Sequence, residues 1–306
     1  MHSLAATAVL LAWIIDARLG EPRNAWHPVA WLGQVCARAG AALVHLRPAA
    51  ALAAGALVWA VAVGAVTALA AALQWWLMEW PVWLAVPVLA IALKPSFAWR
   101  MLCDEVRAVE TALAQGLPAG RQQLARLCSR DVSALDETAV RETAIETLAE
   151  NLNDSLVAPL FWFVVAGLPG AWAFRAANTL DAMWGYRGRW EWAGKCAARA
   201  DDLLGWLPAR LTAAFLWRPA VPLRVLAREA RRTPSPNGGW PMAAMALRLD
   251  VRLGKPAVYT LHAAGRGADA AAVQQALQLA RRAAWLAVGL AVVALAIRNV
   301  WPEFAP

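Results

Sequence analysis

Lysine is almost missing from this chain: three lysines stand against 26 arginines in 306 residues. Charge of any kind is scarce at 16%, while 60% of residues are hydrophobic, which excludes a disordered chain and argues against an ordinary soluble domain. The arginines are spread over every loop and not clustered with stacking aromatics, so nucleic acid is excluded as a partner. An anionic membrane surface or an anionic substrate fits better, because the guanidinium fork binds phosphate bidentately. The four cysteines form no CxxC pair and none has a histidine at ligand spacing, which removes a zinc site and a disulfide framework and leaves reduced, structural thiols. There is no GxxxxGK[ST] loop, GxGxxG fingerprint, GxSxG elbow or HExxH pair, so any nucleotide needs a nonstandard site. No Ser/Gly-rich linker, low-complexity run or internal repeat divides the chain, and a single integral membrane domain over 1–306 is expected. The apolar run from Ser3 to Ile15 lacks a preceding basic region and a following Ala-x-Ala, and reads as a retained first helix.

What is abundant is apolar sequence, in runs at 3–15, 49–78, 80–93, 155–177, 203–222 and 283–300. Residues 49–78 and 283–300 reach the ~20 residues a crossing helix needs, with Trp59, Trp75, Trp76 and Trp301 as interfacial anchors. The stretch Trp80 to Leu93 is short and holds Pro81 and Pro87, so it is expected to tilt, kink or pair with its predecessor around Glu79. Lysine plus arginine number four in 16–48, none in 77–80, seven in 94–154, five in 175–202 and eleven in 218–282. A complete crossing by 155–177 would put the basic 175–202 loop outside, against the positive-inside tendency. A re-entrant hairpin turning at Gly167-Leu168-Pro169-Gly170, with two arms each too short to span, resolves the conflict and returns both flanks to one side. The expected fold is all-α: a polytopic membrane helical bundle with that hairpin and cytoplasmic amphipathic helical portions at about 94–154 and 223–282. Within these, Phe97 to Gln115 and Asp136 to Glu150 read as helices, the second capped by Asp136. Residues 233–241 hold too many turn formers for a regular element, and Asp269 to Arg282 leads helically into the last span.

Three acidic clusters interrupt this apolar chain. At 100° per residue Glu142, Glu146, Glu150 and Asn153 share one helical stripe, with Asp154 just beyond it. On a soluble helix such a stripe is usually a solvated face, but here it runs straight into Ser155-Leu156-Val157-Ala158. Carboxylates at a membrane surface need a partner. A hard cation such as Mg²⁺ takes carboxylate and amide oxygens, so Glu146, Glu150, Asn151 and Asp154 are candidate ligands. Asn178 and Asp181 repeat the Asn-x-x-Asp spacing of Asn151 and Asp154, although each pair alone also suits helix capping. Arg199, Asp201, Asp202 and Arg210 bracket Gly205-Trp206-Leu207-Pro208, as ion pairs or as part of a site. Arg130-Asp131 and Tyr186-Arg187 add cations able to hold phosphate, and His27, near Asp16 and Arg23, is a lone histidine of capping or functional use.

Several strings occur in a fixed order: Asp16 with Gly20-Glu21-Pro22 and His27-Pro28-Val29; Ser129-Arg130-Asp131-Val132-Ser133-Ala134-Leu135; Glu146-Thr147-Leu148-Ala149-Glu150-Asn151 with Asp154 and Ala158-Pro159-Leu160-Phe161. Asn178-Thr179-Leu180-Asp181-Ala182-Met183, Gly185-Tyr186-Arg187, Ala198-Arg199 with Asp201-Asp202, Pro208-Ala209-Arg210-Leu211 and Ser235-Pro236-Asn237 follow. Over nearly its whole length the chain resembles the adenosylcobinamide-phosphate synthase family of cobalamin-biosynthesis membrane proteins. It departs from that pattern at Glu21, Ala182 and Gly205, where Asp, Ser and Asn are expected. The resemblance implies ATP- and Mg²⁺-dependent amide formation between adenosylcobyric acid and aminopropanol phosphate, by a multi-pass inner-membrane protein whose site faces the cytoplasm, beside other late cobalamin-pathway membrane enzymes. It implies Glu150, Asp181 and Asp202 as catalytic carboxylates, and Glu146, Asn151, Asp154, Asn178 and Asp181 around the metal. His27, Arg130, Asp131, Tyr186, Arg187, Arg199, Arg210, Ser235 and Asn237 would hold substrate or phosphate. Two other classes suit the same residues: Mg²⁺-dependent prenyl transfer within the membrane, and a corrinoid carrier or scaffold.

Overall fold

The computed structural model describes residues 2–300. Trp301, expected as an anchor, lies outside them. The first half of the chain forms α1 (His2–Leu19), α2 (Pro28–Leu43), α3 (Pro48–Leu77), α4 (Val82–Leu93), α5 (Trp99–Leu113), α6 (Leu117–Leu124) and α7 (Glu137–Leu152). After a five-residue π-helical turn at Asn153–Val157 come α8 (Ala158–Trp184), α9 (Lys195–Leu204), α10 (Trp206–Leu216), α11 (Leu223–Ala230), α12 (Gly239–Leu249) and α13 (Ala270–Val300). A small antiparallel hairpin, β1 (Leu253–Lys255) and β2 (Tyr259–Leu261), precedes α13. Four helical runs, Pro48–Leu77, Val82–Leu113, Glu137–Trp184 and Ala270–Arg298, are long and apolar enough to cross a membrane. Apart from that hairpin, the molecule is a helical membrane protein. α3 makes the point locally, since Leu57, Val61 and Leu69 are 62–71% exposed on a helix without a charged residue, a surface suited to lipid.

Contacts group the chain into two compact units, each drawn from stretches distant in sequence. The first takes its described residues from 2–98, 158–205 and 288–300. Within it α8 is the central element. Its helix breaks at Ala166 (φ −132°, ψ 16°) and Gly167 (φ 68°, ψ −155°), a left-handed value that favours glycine. The chain then folds back on itself: a Cβ on Gly170 would lie 2.3 Å from the carbonyl oxygen of Trp162, eight residues earlier, a closeness no continuous helix allows. Pro169 is accommodated because it falls in the first turn after the break, where its missing N–H is no loss.

The expected hairpin is therefore present, but its reach differs. The Gln74 side-chain oxygen accepts the Leu168 N–H at 2.7 Å, and the Arg298 guanidinium donates to the Val164 carbonyl. These two groups satisfy backbone that the break leaves open. Gln74 sits one turn from the end of α3, so the tip lies at that end of the helix. The arm from Leu168 to Trp184 is roughly 25 Å long at the helical rise and packs along α3 through Ala176, Ala177 and Val63. Near its end, the Ala193 carbonyl approaches Gly55, close to the beginning of α3. That arm is longer than expected for one too short to span. α4, expected as a possible partner of its predecessor, instead packs chiefly against α1.

The second unit comprises 99–157 and 206–287. α5 is amphipathic as expected, burying Leu102, Val106, Val109 and Leu113 while Arg100, Asp104 and Arg107 pair on its exposed side. Asp136 caps α7 by accepting the Ala139 N–H at 2.8 Å. The apolar run 203–222 yields only the 11-residue α10 before a turn. At 233–241 only the first part is irregular. Gly239, Trp240 and Pro241 open α12, where proline is tolerated within the first turn. Asp269 accepts the Ala272 N–H and starts α13.

Candidate functional site

The acidic stripe of α7 is held by the second unit's own cations. Glu146 is 1% exposed, and Arg130 grips it with both ends of its fork, at 3.0 and 3.1 Å. The same guanidinium reaches Thr143 at 3.4 Å and the Gly254 carbonyl at 3.3 Å. The Tyr259 hydroxyl donates to Glu146 as well. Burial works against the charge on Arg130, but its hydrogen bonds to Glu146 outweigh that and raise its pKa. Burial, and then the negative field of Glu146, push the Tyr259 phenol above its ordinary range, so it remains a donor. One turn earlier Glu142 is buried and pairs with Arg252 at 3.2 Å. Glu146, expected as a metal ligand, holds Arg130 and Tyr259 in this structure.

One turn further along, Glu150 lies against the loop before α12: a Cβ on Gly238 would sit 2.8 Å from its Oε1. Glu146 and Asp154 act on it as like charges, Arg130 and Lys255 as opposite ones. The loop is shaped by Ser235, whose hydroxyl accepts the Asn237 and Gly238 N–H groups, both at 3.1 Å. Asn237 in turn accepts from Arg210 at 2.9 Å. Arg210 is flanked by the rings of Trp206 (4.4 Å) and Trp240 (4.8 Å), and burial alone lowers its pKa. In the π-helical turn, Thr212 donates to Asn153 at 3.0 Å, and Asn153 donates to Asp154 at 2.7 Å, which orients that carboxylate. π-Helical turns of this kind are frequent at functional sites. Glu146, Glu150, Asp154, Arg130, Arg210, Ser235 and Asn237 thus belong to one unit, with Arg130 bound to Glu146, and with Arg210 bound to the Ser235–Gly238 loop that Glu150 meets. Asn151 directs its amide to the Thr147 carbonyl within α7. Asp131, expected to bind substrate, is exposed and accepts the Ser133 N–H at 2.9 Å, a turn-forming role that lowers its pKa.

The other expected residues lie in the first unit. Asn178 donates to Asp201 at 3.1 Å, joining the second and third acidic clusters across α8 and α9. Asp181 folds over Gly185, whose Cβ position is 2.0 Å from its Oδ1. Burial raises the pKa of Asp202, and Arg199, 4.0 Å away and largely exposed, offsets this only in part. Tyr186 and Arg187 are exposed. His27 caps α2: Nδ1 accepts the Val29 N–H at 3.2 Å, so Nε2 carries the proton given to Glu21 at 2.8 Å. Lys94 joins Glu21 and reaches Asp16 at 3.0 Å. Beside this cluster lies an apolar cavity of about 1440 Å³ lined by α2, α3 and the start of α8's second arm. The four-residue set Asn151, Asp154, Asn178 and Asp181 is divided between the units.

Among the described residues no three His, Cys, Asp or Glu side chains form a metal-holding group. Sequence reasoning missed Tyr259, Arg252, Lys255 and Thr212 as members of the polar network. Only the rarity of tyrosine, two in the chain, marks Tyr259 out.

A helical membrane protein with a charge-paired polar site on its less apolar unit is the class these features define. The CobD/Cbib protein family model matches residues 9–287, and the chain belongs to that family. It is similar to the cobalamin biosynthesis protein CobD of Rhodobacter capsulatus, 42% identical over 271 residues and covering 83% of each chain. The CobD of Stutzerimonas stutzeri is 41% identical over 305 residues, 94% of this chain and 96% of the relative. A probable CobD of Methanothermobacter thermautotrophicus is 37% identical over 266 residues, 83% of this chain and 86% of its own. No solved structure matches the chain.

Proposed function

We propose that the protein acts in cobalamin biosynthesis as an amide synthase, joining a propionate side chain of adenosylcobyric acid to the amine of aminopropanol phosphate with ATP. The observation that carries this reading is Glu150 set against the Ser235–Gly238 loop, whose Asn237 holds Arg210, and within the fields of Asp154 and Arg130. The names of the relatives supply the pathway.

A carboxylate is a poor electrophile. Its oxygen attacks the terminal phosphorus of ATP and ADP leaves. The amine nitrogen then attacks the acyl carbon, phosphate departs, and one proton is lost from nitrogen. Glu150, against the Gly238 loop, is placed to take that proton. Arg210, held edgewise by Asn237 between two tryptophans, presents a fixed guanidinium suited to a phosphate or to the amide-rich corrinoid rim. Arg130 positions Glu146 and, through it, Tyr259. Mg²⁺ normally takes one or two carboxylates and completes its shell with water and substrate phosphate, which Asp154 fits while Glu150 stays free as the base. When bound it would neutralise charge on the phosphoryl group. The basic loops favour an inner-membrane location with this face in the cytoplasm.

The test is direct. Detergent-solubilised protein given adenosylcobyric acid, aminopropanol phosphate, ATP and Mg²⁺ should yield the amide by mass spectrometry, and omission of any one component should stop it. Glu150→Gln should lower turnover by about 100-fold or more. Product formed without ATP sinks the ligase reading.

A further inference from the structure

All three non-glycine residues with positive φ among the described residues, Asp250 (54°), Ala257 (59°) and His262 (46°), lie in one short segment around the β hairpin. Side-chain-bearing residues rarely adopt this backbone region, and it persists only where neighbours enforce it, typically at ligand clamps. The enforcing contacts are explicit. His262 Nε2 and Asp250 Oδ1 are 2.6 Å apart, Glu229 accepts the His262 N–H at 2.8 Å, and Arg252 N–H donates to the Arg266 carbonyl at 2.8 Å. The turn at Pro256-Ala257 closes the hairpin with Lys255 opposite Tyr259, so both side chains leave one face. Tyr259 goes to Glu146. The Lys255 carbonyl closes the turn by accepting the Val258 N–H at 3.0 Å, while its ammonium has neither a hydrogen bond nor an ion pair among the described residues, although its charge acts on Glu150.

Beside this strained segment is a cavity of about 400 Å³ lined by Glu142, Arg252, Gly254, Lys255, Tyr259 and Thr260. Arg252 meets Glu142 through Nη2 alone, and its side chain is 46% exposed. The cavity therefore pairs a part-committed guanidinium with an uncommitted ammonium, over walls fixed by the carboxylates of α7. We propose that the β1–β2 hairpin is a phosphoryl clamp, in which Arg252 and Lys255 hold a phosphate group in this cavity beside Glu142 of α7. The fork supplies directional donors and the lysine a point charge, the combination that suits phosphate oxygens. Only the identity of the phosphate compound rests on the ligase reading: it is the polyphosphate of a nucleotide or the phosphate of the amine substrate.

Calorimetric titration of the full-length protein in detergent with inorganic tripolyphosphate tests the clamp without turnover. Wild type should bind it, Lys255→Ala should raise Kd by about tenfold or more, and Lys255→Arg should restore binding to within about threefold. The Lys255 side chain is exposed and makes no hydrogen bond or ion pair among the described residues, so its removal leaves folding intact, which a matching thermal melt verifies. Displacement of tripolyphosphate by ATP assigns the seat to the nucleotide, and displacement by aminopropanol phosphate assigns it to the amine. No binding to wild type, or an unchanged Kd in Lys255→Ala, overturns the clamp. Binding that behaves as expected in a protein that forms no amide removes the ligase reading and leaves the clamp standing.

Discussion

Glu21 stands between the Lys94 ammonium and the Nε2–H of His27, and what they do to it can be measured. Burial alone would raise its pKa, but the hydrogen bonds from His27 and Lys94 and the positive field of Lys94 outweigh it and hold the carboxyl below its ordinary value of 4.5. A depressed folded-state pKa contributes stability that is complete above the ordinary value and is lost as pH falls through the lower, folded one. Glu21→Gln should therefore be less stable than wild type at neutral pH by about 2 kcal/mol, the worth of a charged hydrogen bond at a site 11% exposed. Thermal melts of both proteins in detergent from about pH 7 to about pH 3 should converge at the acid end. A constant difference across that range removes the linkage. The histidine of this cluster was visible in the sequence as a capping or functional residue; Lys94 was not, because it comes from 73 positions away and nothing local marks it.

At the scale of elements, the α8 hairpin depends on an approach that only glycine permits. Gly170 meets the Trp162 carbonyl oxygen, a backbone atom that cannot rotate away. Gly170→Leu should cost about 3 kcal/mol or more and abolish a monodisperse peak in size-exclusion chromatography. Gly64→Leu in α3, with nothing within 4 Å of its Cβ position, should elute like wild type. An unaltered Gly170→Leu profile would mean that the chain does not turn there. The reversal was legible because glycine and proline act locally on the backbone. Its depth was not legible, since it is set by Gln74 and Arg298, 94 and 134 residues away from their partners. The β hairpin escaped notice for a related reason. Its strands are three residues each, too short for alternation to show, and the contact that fixes it, Tyr259 on Glu146, spans 113 residues.

Across the whole molecule, composition and hydropathy announced a membrane protein because lipid acts on every residue of a span at once. The sorting of polar residues into two units was invisible, since each unit interleaves distant stretches: the α7 stripe closes with the Arg210, Asn237 and Tyr259 regions, whereas Asn178 closes with Asp201. The first unit nonetheless carries its own ruler. The hairpin tip meets Gln74 at one end of α3, and Ala193 meets Gly55 near the other. With α3 crossing the bilayer, the segment after Trp184 must emerge on the side where α3 begins, and the turn at Glu79 on the opposite side. In a cysteine-free background, single cysteines replacing Arg47 and Arg187 should then react with a membrane-impermeant maleimide from the same face of sealed vesicles, and one replacing Glu79 only from the other. If that face is the cytoplasmic one, as the positive-inside tendency of the basic loops predicts, only the Glu79 position should be labelled in intact cells. Labelling of Arg187 and Glu79 positions from one face would break the link between the hairpin's reach along α3 and the sidedness of the acidic residues in α8 and α9.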